Sequence, residues 1–231
     1  MDISIVQAIN YRKKGNMSKQ SKIKRIVKMV RTYYKSVDKR MEEMRNDYGS
    51  PCIDGCDHCC YQLISSCIPE GLTALQSVWN DPALREDFSS KLHRLTTEVG
   101  FLKNPNASNR LWFDMHMPCV FLKDHRCTIY EDRPLMCRTQ MSAEKTSDKC
   151  KDVGTAQKLK LVNKGPMVEH SIHLSLDISE KFGIPWSFRP FQQSLLDAWD
   201  LYVTGIKPGD LPSHADEIES MQRWAQLELR P

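Results

Sequence analysis

No apolar run in the chain approaches the roughly 20 residues needed to cross a bilayer as a helix, so a membrane span is not expected. Glycine and proline are sparse, ten and twelve among 231 residues, which argues against a low-complexity or collagen-like chain. No internal repeat points to a solenoid. No glycine-rich loop follows a strand-like run, so the usual cradle for a nucleotide-like donor is missing. A serine–histidine–acid pattern is equally absent, and nothing singles out one cysteine as a nucleophile poised beside a base. The opening stretch, MDISIVQAINYRKKG, puts its few apolar residues ahead of the positive charges. A secretory signal has the reverse order, so a cytoplasmic chain is the expectation. In that compartment thiols stay reduced and serve metals or catalysis more often than disulfides.

What the chain does have is ordinary globular composition with uneven charge. A hydrophobic fraction of 40% and a charged fraction of 27% suit one sizeable domain. Residues 11–40 carry twelve Lys or Arg against one acid, Asp38, whereas residues 41–231 carry 21 basic and 27 acidic residues. A basic arm thus precedes a mildly acidic body. Three regions follow: a basic amphipathic helix within 1–49, a cysteine-rich centre over 50–151, and a helical region over 152–231 packed on the same domain.

Hydrophobic periodicity makes the chain mainly α. Ile23, Ile26, Val27, Val30, Tyr33, Tyr34, Val37, Met41, Met44 and Tyr48 recur at three- and four-residue steps. They predict one long helix over 18–48, capped by Ser18 and ended by Gly49-Ser50-Pro51. A shorter helix opens at Pro69-Glu70-Gly71 and runs to about Trp79. Another follows Asn80-Asp81-Pro82, with Leu84, Phe88, Leu92, Leu95 and Val99 along one face. Residues 103–110 read as a loop. Residues 168–179 are ambiguous, because Ile172, Leu174, Leu176 and Ile178 alternate as in a strand while the flanks suit a helix. Helices are predicted again over about 191–203 and from Ser213.

The chemistry lies in the cysteines. Cys52, Cys56, Cys59 and Cys60 fall in the segment PCIDGCDHCC, and Cys119, Cys127, Cys137 and Cys150 follow in an irregular segment. Thiolates grouped this tightly suit zinc or an iron–sulfur centre, each typically held by four soft ligands drawn from separated segments. The two-residue gap from Cys56 to Cys59 lets both sulfurs reach one ion, and Cys60 must then point elsewhere. Loop-sized gaps from Cys119 to Cys127 and from Cys127 to Cys137 could close over the first group. Spacing alone accepts zinc or iron, and one site or two.

PCIDGCDHCC followed by PCVFLKDHRCTIYEDRPLMCR resembles the YkgJ-type cysteine-cluster family, the CxxCxxCC proteins described as chelating zinc or iron. The second motif is matched at Pro118, Cys119, Phe121, Leu122, Cys127, Ile129, Tyr130, Arg133, Pro134, Cys137 and Arg138. The resemblance implies eight metal-binding cysteines: Cys52, Cys56, Cys59, Cys60, Cys119, Cys127, Cys137 and Cys150. Cys67 falls outside the pattern as a buried or incidental thiol. Some members look like flagellin lysine methylases, which would imply methyl transfer to protein lysines; whether this chain is an enzyme is left open.

Neighbouring residues carry weaker expectations. Arg133 and Arg138 flank Cys137 and could offset the negative charge of a metal–thiolate centre. His58, His116 and His125 each lie within three residues of a candidate cysteine, where an exposed or supporting role is expected. Asp54 and Asp57 read as turn residues. Trp186, Phe188, Trp199 and Trp224 are expected to fill the core or cover the metal loops. The basic segment 11–40 would attract nucleic acid only non-specifically and salt-sensitively, and no nucleic-acid-binding motif accompanies it. The expected partners are a metal ion and an unidentified protein.

Overall fold

The computed structural model describes residues 17–52, 55–98, 112, 115–144, 146–151 and 164–201. Among these residues six helices dominate: α1 (Met17–Tyr48), α2 (Ile68–Asn80), α3 (Pro82–Glu98), the short α4 (Leu135–Thr139), α5 (Lys164–Phe182) and α6 (Phe191–Trp199). Among the described residues there are also four two-residue strands. β1 (Ser65–Ser66) pairs antiparallel with β4 (Arg189–Pro190), and β2 (Leu122–Lys123) with β3 (Arg126–Cys127). The mainly α reading therefore holds. The predicted loop at 103–110, the helix from Ser213, and Asp54 and Trp224 lie outside the described residues, as do residues 11–16 of the basic arm.

α1 buries the stripe that its periodicity predicts. Ile26, Val30, Tyr34, Val37, Met41 and Met44 join the main core, while Tyr48, the last helical residue, is exposed. The described part of the helix already includes Met17 and Ser18, so Ser18 is helical and is not the cap. At its other end Gly49 takes φ +59°, and the Ser50 N–H reaches back to the Arg45 carbonyl at 3.3 Å. That left-handed turn with a six-to-one hydrogen bond is a Schellman stop, and glycine adopts it without a Cβ penalty.

α2 lies at the centre of the fold, packed against α1, α3 and, most extensively, α6. A Cβ on Gly71 would stand 2.4 Å from the Ser194 backbone oxygen, so only glycine permits this approach of α2 to α6. The two helices share a core in which Ile68, Leu72, Leu75 and Leu195 are fully buried. Each such side chain contributes about 1.5–3 kcal/mol through burial.

The ambiguous segment 168–179 is helical, inside α5. Leu174 and Ile178 enter the main core, whereas Ile172 and Leu176 enter a second cluster with Met136, Trp186 and Phe188. Two i, i+4 pairs thus face two different apolar clusters, and their interleaving produces the strand-like alternation. The same cluster places Trp186 and Phe188 beneath Met136, next to Cys137. Trp199 packs on Trp79 in a tilted arrangement, with ring centroids 4.9 Å apart.

Candidate metal centre

Pro51 and Cys52 follow directly on the α1 stop, so the long helix delivers the first cysteine segment. Gly55, at φ +81°, turns the chain into a 3₁₀ turn at His58–Tyr61. The Cys60 N–H bonds the Asp57 carbonyl at 2.8 Å, and the Gln62 N–H bonds the Cys59 carbonyl at 3.1 Å. The second segment is tied to the first at once, because the Cys119 N–H donates to the Cys60 carbonyl at 2.8 Å. β2 and β3 then form a hairpin around Asp124 and His125, at φ +49° and +61°. Positive φ at both central positions is the requirement of a type I′ two-residue turn, where Asn-Gly is usual. After a 3₁₀ turn at Tyr130–Asp132, Pro134 starts α4, which carries Cys137. Cys52 meets a third piece of chain: the Ser142 N–H points at its sulfur at 3.5 Å, and Ser50 Oγ donates to the Ser142 carbonyl at 2.7 Å.

These segments enclose a cavity of about 550 Å³. Cys52, Cys56, Cys59 and Cys60 of the first segment line it together with Cys119, Cys127 and Cys137 of the second. Cys150 does not line it, but stands near enough to Cys52, Cys56 and Cys59 for their charges to raise it further after burial has done so. All nine cysteines are free thiols. Burial pushes Cys119 up to about 12, and pushes Cys137 well above the ordinary thiol range. Contact with the Cys60 thiol, together with burial, does the same for Cys59. The Arg133 guanidinium opposes the rise at Cys59, Cys127 and Cys137. Among the described residues, no three Cys, His, Asp or Glu side chains stand as a ready-made coordination sphere. The thiols share one cavity without converging on one point. Their donor chemistry still fits zinc or iron, since they are soft, unbridged ligands with a cation beside them.

The two arginines divide their work. Arg138 is buried and hydrogen-bonds outward, from Nη1 to the Asp38 carboxylate, from Nη2 to the Glu131 carbonyl and from Nε to the Arg133 carbonyl at 2.9 Å. Its guanidinium also lies over the Tyr34 ring, 4.0 Å from the centroid. It pins the Cys137 segment to α1. Arg133 lies over Tyr130 at 3.6 Å, lines the cavity, and has a buried Nε with no hydrogen-bond partner among the described residues. Both arginines line the cavity and both oppose the rise at Cys127, Arg133 the more strongly.

Sequence reasoning did not find Glu70. It is fully buried, and its carboxylate accepts the Leu135 N–H at 2.6 Å, the Cys67 N–H at 3.1 Å and the Tyr34 hydroxyl at 3.3 Å. Burial raises its pKa and these donors pull it back. One carboxylate thereby joins α1, the start of α2 and the start of α4. The visible signal was an acid three residues into a helix, as in a capping box. Cys67 is also fully buried, with its Sγ donating to Glu70 Oε2 at 3.4 Å and away from the cavity.

Asp57 is more than the turn residue expected. It is nearly buried, and its Oδ2 lies 2.8 Å from His125 Nδ1, which clasps the hairpin tip to the first cysteine segment. His125 lines the cavity. His58 sits in the 3₁₀ turn, half-buried, and His116 is exposed at φ +49°. Among the described residues neither has a ring nitrogen on a carboxylate.

Comparison with known families places this geometry. Residues 51–155 match the model of the CxxCxxCC family, described as a "putative zinc- or iron-chelating domain". The first gap in this chain, three residues from Cys52 to Cys56, is one longer than the pattern in the family's name. Comparison with curated proteins and with solved structures gave no match. The matched span, 105 of the 231 residues, holds the cavity cysteines together with Cys150, Arg133 and Arg138, and over that span the chain is similar to the CxxCxxCC family.

Proposed function

We propose that the protein chelates zinc or iron through Cys52, Cys56, Cys59, Cys60, Cys119, Cys127, Cys137 and Cys150, in a structural or regulatory role. One observation carries the reading: seven free thiols from two distant segments line a single cavity beside Arg133. Bound there, zinc would supply a cross-link without redox chemistry, and an iron–sulfur cluster would supply an electron-transfer centre. The chain's own residues would do the rest. Arg133 offsets thiolate charge, Glu70 fixes the start of α4, and Arg138 holds that helix to α1. The raised thiols must release protons on chelation, which couples metal uptake to the ordering of the loops. On this reading residues 1–49 and 152–231 act as a helical frame for the centre.

Metal content and visible absorbance of protein purified without air test it. Zinc in a colourless solution supports a structural site. Iron with acid-labile sulfide and a brown colour supports a cluster. Neither metal, with Cys56→Ser and Cys137→Ser leaving the fold intact, overturns the proposal.

The size of the cavity favours one second reading, a metal-dependent protein-modifying enzyme of the lysine N-methylase kind. About 550 Å³ lies within the roughly 300–1,000 Å³ typical of small-molecule sites. That reading requires a methyl donor to bind the metal-loaded chain; isothermal titration showing no heat with S-adenosylmethionine would remove it.

A further inference from the structure

We propose that His125 is a metal ligand of the cysteine centre, held for that task by Asp57. The inference rests on the chelation reading above and adds a nitrogen donor to the thiols.

The first ground is the hydrogen bond. His125 Nδ1 lies 2.8 Å from Asp57 Oδ2. A carboxylate only accepts, so Nδ1 carries the proton, and the lone pair of the neutral ring is on Nε2. No described residue bonds Nε2. Metal-ligating histidines almost always show this arrangement, one ring nitrogen donating to a carboxylate or carbonyl while the other binds the ion.

The second ground is place. His125 lines the same cavity as Cys56, Cys59 and Cys127. Asp57 follows Cys56 directly, and His125 precedes Cys127 by two residues, so the clasp sets two cysteine-bearing segments side by side. The ring is not there to fill the core, because the side chain is 78% exposed, whereas that of Asp57 is 12% exposed. A nearly buried carboxylate has been spent on orienting an exposed imidazole.

The third ground is the backbone. Asp124 and His125 both adopt positive φ, at +49° and +61°, in a two-residue turn that contains no glycine. A type I′ turn requires positive φ at both central positions, and Asp and His enter that region more readily than most residues with a side chain, so the turn can present an imidazole at the hairpin tip where glycine is usual. The ligand class that follows is a borderline divalent ion, Zn²⁺ or Fe²⁺, in a mixed thiolate–imidazole sphere.

X-ray absorption on the full chain reconstituted with zinc tests the assignment, because imidazole gives outer-shell scattering that sulfur ligands lack. The wild type, His58→Ala and His116→Ala are expected to show imidazole scattering, and His125→Ala to lose it. Asp57→Asn is expected to retain the ligand and weaken zinc binding by about 10–100-fold, read by competition with a chromophoric chelator. Imidazole scattering that survives in His125→Ala, or a sulfur-only sphere in the zinc-loaded wild type, overturns the assignment and leaves chelation standing. A wild-type chain that takes up no zinc and carries no iron overturns both.

Discussion

At the crossing of α2 and α6, side chains have been stripped away so that backbones can meet. Around the cysteine cavity, side chains are present and space is left between them. Gly71 stands so close to Ser194 that a single methyl group would collide with its carbonyl. By contrast, seven thiols face about 550 Å³ of unfilled volume. Cysteine makes the difference concrete. Cys67 is sealed in the first region with its thiol on Glu70, a small buried residue among others. Cys59 or Cys137 is chemically the same residue, yet it faces a cavity beside a cation that favours thiolate. Surroundings, not residue type, separate a core cysteine from a candidate ligand.

The largest effect that would sharpen this contrast is metal removal. Structural thiolate sites supply on the order of 10 kcal/mol of apparent folding free energy. Stripping the metal with a chelator is expected to raise amide hydrogen exchange across 119–137 while α2 and α6 stay protected. Equal deprotection of the helices would erase the distinction between frame and centre.

Within the frame, Gly71→Ala should cost about 3 kcal/mol in urea denaturation, because the added carbon meets backbone that cannot rotate away. A variant as stable as the parent would show that α2 and α6 do not pack this closely.

Glu70→Gln probes the joint between the regions. The amide nitrogen cannot accept, so buried donors lose a partner, at a cost of about 2–3 kcal/mol. Since Glu70 holds the Leu135 N–H at the start of α4, zinc affinity is expected to fall too. Loss of stability with unchanged zinc affinity would sever the proposed link.

The smallest effect concerns Asp132. Burial alone would raise its pKa, but the two-pronged bond from Arg31, at 2.8 and 2.7 Å, and the Ser77 hydroxyl hold it below the ordinary 3.8. A carboxylate lowered in the folded state stabilises above its unfolded pKa, and the contribution disappears as pH falls through the folded value. Stability should therefore decline below about pH 4, and Asp132→Asn should flatten that part of the curve. At neutral pH the variant is expected to lose about 1–2 kcal/mol, a modest amount because Arg31 is partly solvated.

Much of this arrangement was legible before any coordinates. α1 followed from three- and four-residue spacing because it presents one apolar stripe to the core, whereas α2 and α3 were marked by their starts at Pro69-Glu70-Gly71 and Asn80-Asp81-Pro82. The alternation at 172–178 misled because α5 presents two faces to two clusters, and one-dimensional periodicity cannot separate them. Both cysteine segments were plain from composition, and so was the special standing of Cys67. Arg133 and Arg138 looked equivalent on either side of Cys137; both line the cavity, yet Arg138 alone is also anchored to Asp38 on α1. Asp57 looked like a turn residue because its partner, His125, is 68 positions away.

The sequence by itself determined what is local or compositional: helices with a single buried face, the stop at Gly49, and thiol groups too dense for chance core cysteines. Those properties depend on neighbours within a turn or two of chain. Tertiary structure alone decided which thiols share the cavity, that Glu70 joins three elements, and that Asp57 meets His125. Each of these is a contact between segments far apart in sequence. Its energy comes from burial and hydrogen bonding, which exist only once the chain has closed.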